Sequence, residues 1–273
     1  MEGIKYMNER KLTTKEELAV KAKKHVNDMV SMFGPEIKQA THNTDIITDF
    51  MEINKDRVGK VKFSCLKTDT VSALFKNQEK NNSNKQESTT GKCCILNFAS
   101  FRQPGGNYIG GSMAQEEALC SESILYNVLR NFKFAFYNAN LNYINKCMYE
   151  NRMLYSPDIL FSRHYDDKEN ITTADVITCA APNKSAGKRK YKVTDNENTK
   201  FLKHRIAFIL NVAAAKNVDT LILGAYGCGV FGQDPYEVAR IFRSYLTGEY
   251  KYFSKVIFAV PDWKYEIFNK ILG

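Results

Sequence analysis

The residues that invite chemistry stand in one short stretch, "NFASFRQPGGNYIGGSMAQEEALC", Asn97 to Cys120. A hydrophobic strand ends at Asn97 and Phe98. A loop with Gly105, Gly106, Gly110 and Gly111 follows, and a helix then opens on Gln115, Glu116 and Glu117. Adjacent helical residues point about 100° apart, so one glutamate can face a cleft while its neighbour flanks it. A carboxylate in a partly desolvated cleft can keep a proton near neutral pH, as a general acid must. The structural alternative is an ordinary helix start. Ser112 stands three residues before Gln115, which is capping-box spacing, and acids are favoured at a helix's positive end.

A second glycine loop, "GAYGCGVFGQD", contains Gly224, Gly227, Gly229 and Gly232. Glycine lets backbone amides approach a ligand closely, and the helix after each loop presents its positive end to an anion. Tight turns alone also explain such glycines, but two loops, each after a strand, suggest a diphosphate clamp. Gly227, Gly229 and Gly232 formally match G-x-G-x-x-G. A dinucleotide-binding reading is rejected, because the motif follows the penultimate strand and no acid stands at the required distance beyond it. No Gly-Lys-Ser/Thr follows, which excludes a P-loop.

These loops need a scaffold. Thr13/Thr14 with Glu16/Glu17 predict a capped helix over 13–33. Strands are expected at 61–65, "KCCILNF", "DILFSRHY", "DVITCAAP", "VDTLILGAY" and "SKVIFAV". Helices are expected at 69–75, from Gln115 to Arg130, after the Thr194–Glu197 capping box, from Pro235 to Leu246, and from Trp263 to Leu272. The polar run 76–91 reads as a solvated loop, and 131–149 is ambiguous between helix and strand. Buried strands alternating with helices imply an α/β domain with a parallel or mixed sheet. Ligands in such sheets bind beyond the carboxyl ends of the strands, where both glycine loops lie.

The 273 residues are 44% hydrophobic, enough for a substantial core, and carry a formal charge of +9 that favours anionic partners. That charge alone also admits nucleic-acid binding, but no nucleic-acid motif accompanies it. Seven cysteines without C-x-x-C spacing suggest reduced thiols, and four scattered His give no metal-ligand pattern. No signal-peptide segment and no apolar run of membrane-spanning length is present, so a cytoplasmic location and no membrane partner are expected.

"PGGNYIGGSMAQEEALC" resembles the signature of poly(ADP-ribose) glycohydrolases, three glycines followed after a short spacer by Gln-Glu-Glu. The likeness extends to "LNFAS", "LYSPDILF", "DVITCAAPN" and "LILGAYGCGVFGQDP", about residues 60–260, and points to the short microbial type. Asn107 stands where the family has its third glycine. Asn tolerates positive φ, so the loop is expected to keep its shape, with the side chain near the cleft.

The resemblance implies a macrodomain-like three-layer fold, a central mixed sheet between helices. Residues 1–55 would form a helical extension packed on a catalytic domain over 56–273. Glu117 would be the catalytic acid and base, and Glu116 would hold ribose hydroxyls at the scissile bond. Asn97, Gly105, Gly106, Asn107 and Gln115 would line the ribose end. Gly227, Cys228, Gly229 and Val230 would give amides to the diphosphate, and Phe231 would pack on the ribose. The implied reaction is hydrolysis of ribose–ribose O-glycosidic bonds from chain ends, releasing ADP-ribose, with no cofactor and no metal. Implied partners are ADP-ribose or poly(ADP-ribose) on proteins, or ADP-ribosylated nucleic acid, and a monomer is expected. A mono-ADP-ribosyl hydrolase and a non-enzymatic ADP-ribose reader remain alternatives, the latter opposed by the presence of both glutamates.

Overall fold

A computed structural model describes residues 13–54, 59–83, 91–163 and 170–273. Seven strands form one sheet: β1 (Asp45–Ile47), β2 (Lys62–Leu66), β3 (Lys92–Phe98), β4 (Met153–Ser162), β5 (Ile171–Cys179), β6 (Val218–Leu223) and β7 (Lys255–Ala259). Their order is β1-β4-β5-β3-β6-β7-β2. The pairs β5–β3, β3–β6, β6–β7 and β7–β2 are parallel, while β1–β4 and β4–β5 are antiparallel. The central strands are buried on both faces, which suits runs such as "CCIL" and "LIL". The carboxyl ends of β2, β3, β5, β6 and β7 therefore open on one edge of the sheet.

Among the described residues there are eight α-helices, seven of them on the two faces of the sheet. On one lie α1 (Thr14–His42), α2 (Thr70–Ser83), α3 (Gln115–Ser121) and α4 (Leu125–Leu129). On the other lie α6 (Asp195–Ala215), α7 (Pro235–Thr247) and α8 (Lys264–Leu272). The short α5 (Lys184–Tyr191) follows β5. Both expected capping boxes form: Thr13 with Glu16, and Thr194 with Glu197. Pro235 occupies the first turn of α7, where its missing N–H costs nothing.

α1 is longer than expected. Phe33 leaves helical geometry at φ −131°, and the helix resumes through Pro35 to His42. Its buried face, Ala22, Val26, Met29 and Phe33, joins the core on the α3 side, and β1 adds an edge strand to β4. His25 Nδ1 lies 3.0 Å from the Tyr108 hydroxyl, so α1 buttresses the first glycine loop.

Several expected elements differ. The helix expected from Gln115 to Arg130 is two helices. Ser123 bridges to Phe161, the Ser162 N–H donates to Glu122 O, and the Ile124 N–H donates to Leu160 O. Those tertiary bonds take residues 122–124 out of helical pairing. Residues 130–147 are short 3-10 and π turns. β4 begins at Met153 rather than Asp158, and a bulge near Asp158, at φ 53°, hides its alternation. The expected loop 76–91 is helical to Ser83, and residues 84–90 lie outside the described residues. The end of the expected strand 158–165 also falls outside them.

Candidate active site

The site is built on the end of β3. The Phe98 N–H donates to Gln115 Oε1 at 2.8 Å, and Gln115 Nε2 donates to Leu96 O at 2.9 Å. Nε2 also reaches Thr70 Oγ1 at 3.3 Å. The first residue of α3 thus replaces a missing ladder partner of β3 and fixes the helix start against the strand. Gln115 does not cap α3: both ends of its amide are bonded, to Phe98, Leu96 and Thr70.

Glu116 is 3% exposed and Glu117 7%. Asn97 Nδ2 donates to Glu116 Oε1 at 3.2 Å and to Thr178 Oγ1 at 3.2 Å. The Ser100 N–H donates to Glu116 Oε2 at 2.7 Å. Burial pushes the Glu116 carboxyl up, from 4.5 to about 8. The Ser100 and Asn97 donors oppose that shift, and the negative charge of Glu117 adds to it. Glu117 accepts from the Ala114 N–H at 3.0 Å and from the Asn107 N–H at 2.9 Å. Glu117, not the expected Ser112–Gln115 pair, therefore accepts from the N-cap N–H of α3 and ties the helix start to the glycine loop. Ser112 instead accepts from Asn107 Nδ2 at 2.8 Å.

Gly106 closes over the pair. Its φ is +59°, and a Cβ there would stand 2.5 Å from Glu117 Oε1 and 3.0 Å from Glu116 Oε2. Asn107, by contrast, has φ −112°. The expectation that it occupies a glycine-like conformation is corrected: ordinary backbone geometry suffices there. Its side chain lies along the loop, beside Ser112 and over Gly110, and is not part of the cleft wall.

The second loop is shaped from beneath. The Gln233 N–H donates to Gly227 O at 3.0 Å, and Gln233 Nε2 donates to Pro182 O at 2.7 Å. Gln233 and Asn198 exchange amide hydrogen bonds at 2.9 Å. The Cys228 N–H is already committed to Ala225 O at 3.1 Å. Among the described residues, the N–H groups of Gly227, Gly229, Val230 and Phe231 have no partner. Of the expected amides Cys228 is thus bonded within the loop, and the Phe231 N–H is open beside the other three. A Cβ on Gly229 would meet nothing within 4 Å, and Val230 is 89% exposed. The Phe231 ring lies 6.3 Å from Tyr149, which stacks on Phe101 at 4.0 Å.

Between the loops lies a cleft of about 590 Å³, within the range of small-molecule sites. Glu116, Glu117, Gly106 and the 227–231 loop line one part. Phe98, Val71, Pro261 and Lys264 line another, with Asp69 and Asp262. Sequence reasoning missed that second part, contributed by the turns after β2 and β7. The strand-end rule applied to every parallel strand would have included them. It also missed Arg205, a guanidinium 1% exposed. Arg205 donates to Asn151 Oδ1 and to the carbonyls of Tyr149, Glu150 and Ala180, holding the turn behind Phe231. A larger hollow of about 880 Å³ between residues 50–54 and Tyr250 gathers no comparable carboxylate pair. Among the described residues no group of three or more His, Cys, Asp or Glu is placed to hold a metal ion, and no helix is long and apolar enough to cross a membrane.

Residues 7–164 match the family model for the microbial-type PARG catalytic domain, more than half of the chain and including both glutamates. The chain belongs to the microbial-type PARG family. The poly(ADP-ribose) glycohydrolase of Deinococcus radiodurans, solved with ADP-ribose, is 30% identical and covers 86% of this chain and 96% of its own, with a TM-score of 0.74. The enzyme from Thermomonospora curvata is 24% identical over 94% of this chain and 100% of its own, with a TM-score of 0.80. A second structure of the Thermomonospora enzyme, bound to the inhibitor ADP-HPD, has a TM-score of 0.76. No curated protein sequence matches the chain. The sheet flanked by helices is the macrodomain-like fold of these PARG structures, and the activity class is the family's, hydrolysis of O-glycosidic bonds in poly(ADP-ribose).

Proposed function

We propose that this chain removes terminal ADP-ribose units from poly(ADP-ribose), with Glu117 as acid and then base. The observation that carries this reading is the adjacent buried carboxyl pair under Gly106, facing a cleft with free loop amides. The diphosphate lies against the N–H groups of Gly227, Gly229, Val230 and Phe231, and the terminal ribose sits between Phe231 and the glutamates.

Glycoside cleavage needs a proton on the leaving oxygen and stabilisation of an oxocarbenium-like carbon. Burial holds a proton on Glu116 at neutral pH. In the proposed cycle Glu117 enters protonated and gives its own proton to the leaving oxygen as the C–O bond breaks, and the nearby diphosphate stabilises the positive charge. The Glu117 carboxylate then takes a proton from water, whose oxygen attacks the anomeric carbon. Both carboxyl groups return to their starting state. Glu116, neutral at pH 7, both donates to and accepts from the ribose hydroxyls, and its neutrality spares Glu117 a second negative charge.

The test is incubation with poly(ADP-ribose) and with mono-ADP-ribosylated protein, reading free ADP-ribose. Polymer is expected to yield ADP-ribose, and release from the mono-modified protein alone would replace the reading by a mono-ADP-ribosyl hydrolase. Glu117→Gln should lower kcat by about 10²–10⁴-fold with ADP-ribose affinity nearly unchanged. Glu116→Gln, which copies a neutral carboxyl, should retain far more turnover at pH 7. The reverse ranking would exchange the two roles.

A further inference from the structure

Beside the ribose end of the cleft stands α5, whose sequence is Lys-Ser-Ala-Gly-Lys-Arg-Lys-Tyr, followed by Lys192. It is anchored to the site. The Ser185 N–H donates to Phe231 O at 3.0 Å, and the Asn183 N–H donates to Cys147 O at 2.9 Å. Gly187 faces inward against Met148. Lys184 and Lys188 both pair with Asp195, at 3.0 and 2.8 Å, which fixes the helix to the start of α6. These two lysines have structural work.

The next four residues do not. Arg189, Lys190, Tyr191 and Lys192 are all exposed, and Tyr191 is 49% exposed. Among the described residues their side chains make no ion pair, hydrogen bond or ring contact. Lys192 closes the helix at φ 57°, a left-handed conformation that strains an L-residue and that glycine accepts freely. A cation therefore stands where local backbone preference favours Gly. Three cations adjoin an exposed aromatic residue in sequence at this helix end, and long basic side chains beside an aromatic are the residue types that bind single-stranded, base-bearing polyanions: the ring stacks a base and the cations neutralise phosphates. Arg102, exposed on the first glycine loop next to Phe101, lies near enough to Tyr149 to act on its hydroxyl electrostatically.

We infer that Arg189, Lys190, Tyr191 and Lys192 form an exosite for the polymer beyond its terminal unit, with an adenine stacked on Tyr191 and a diphosphate held by the three cations. The inference rests on the polymer-hydrolase reading, since only a polymer reaches from the cleft along α5, about 12 Å long. Each unit of such a polymer carries one base and one diphosphate, the two groups that the patch presents chemistry for. Nucleic acid shares that chemistry, but the anchoring of α5 to Phe231 ties the patch to the cleft.

The experiment compares wild type with Arg189→Gln/Lys190→Gln/Lys192→Asn, with Tyr191→Ser, and with all four changes. The substrates are long polymer and the ADP-ribose dimer. For the fourfold variant, KM on long polymer should rise about tenfold, with kcat, dimer hydrolysis and ADP-ribose affinity unchanged. Removing three phosphate contacts should also flatten the salt dependence of log KM on long polymer by about 2. The single Tyr191→Ser variant should show part of the KM rise without the salt change. Unchanged KM on long polymer would overturn the exosite, as would an equal loss on polymer and dimer, which places the effect inside the cleft. Oligoadenylate binding lost in the variant while polymer KM stays constant would also overturn it, by assigning the patch to nucleic acid. A wild type inert on both substrates would instead overturn the activity reading, so the two failures are distinguishable.

Discussion

The two glycine loops of this molecule use the same residue for opposite ends. In the loop after β3, small residues let protein pack on protein: Gly106 lies so close to Glu117 that a single methyl would strike the carboxylate. In the loop after β6, Gly229 has open space above it and unpaired amides around it. One loop is filled by the protein's own carboxyl side chains, and the other has open space above it. A glycine-rich stretch after a parallel strand thus has no single meaning. The contents of the space over each glycine decide whether it positions a side chain or admits a substrate.

Substitutions can break that contrast, and Gly106→Ala should do the most damage. The added methyl meets both carboxyl groups, and φ +59° is strained for alanine. Displacing the pair by about 1 Å should lower kcat about 100-fold, with a measurable fall in Tm. Full activity would mean that the loop relaxes without moving Glu117.

Gly229→Val should behave differently. Nothing in the protein opposes the side chain, so Tm should hold, while isothermal calorimetry should show ADP-ribose affinity reduced about 30-fold, or about 2 kcal/mol. Unchanged affinity would place the diphosphate elsewhere.

A third comparison uses pH. Unfolded, Glu116 titrates near 4.5, and in the folded protein near 8. Between those values the native state holds a proton that the unfolded state has lost. Stability should therefore fall as pH rises from about 4.5 to about 8 and level off above. Glu116→Gln should flatten that slope in urea titrations across the pH series. An unchanged slope would show that Glu116 is ionised throughout.

The smallest effect is expected at Asn107. Asn107→Gly keeps the N–H that donates to Glu117 and loses only the side-chain bond to Ser112. Initial rates on polymer should change less than about threefold, near the effect of one net hydrogen bond. A larger loss would show that the loop depends on the Asn107–Ser112 bond to hold Glu117.

Much of this molecule was determined by local sequence. The Thr13 and Thr194 boxes set helix starts because cap and partner are only three residues apart. β3, β6 and β7 were legible because strands buried on both faces must be continuously apolar. The adjacency of Glu116 and Glu117, and their place after a strand and a glycine loop, are likewise facts of sequence.

Tertiary structure decided the rest. The break between α3 and α4 depends on Ser123 meeting Phe161, nearly forty residues away in the chain. Gln115 reads as a cap until the end of β3 claims both ends of its amide. The φ of Asn107 and the raised titration of Glu116 follow from how the loop closes and how completely water is excluded. Hydrogen-bond partners distant in sequence and the loss of solvent are properties of packing, and no local pattern encodes them.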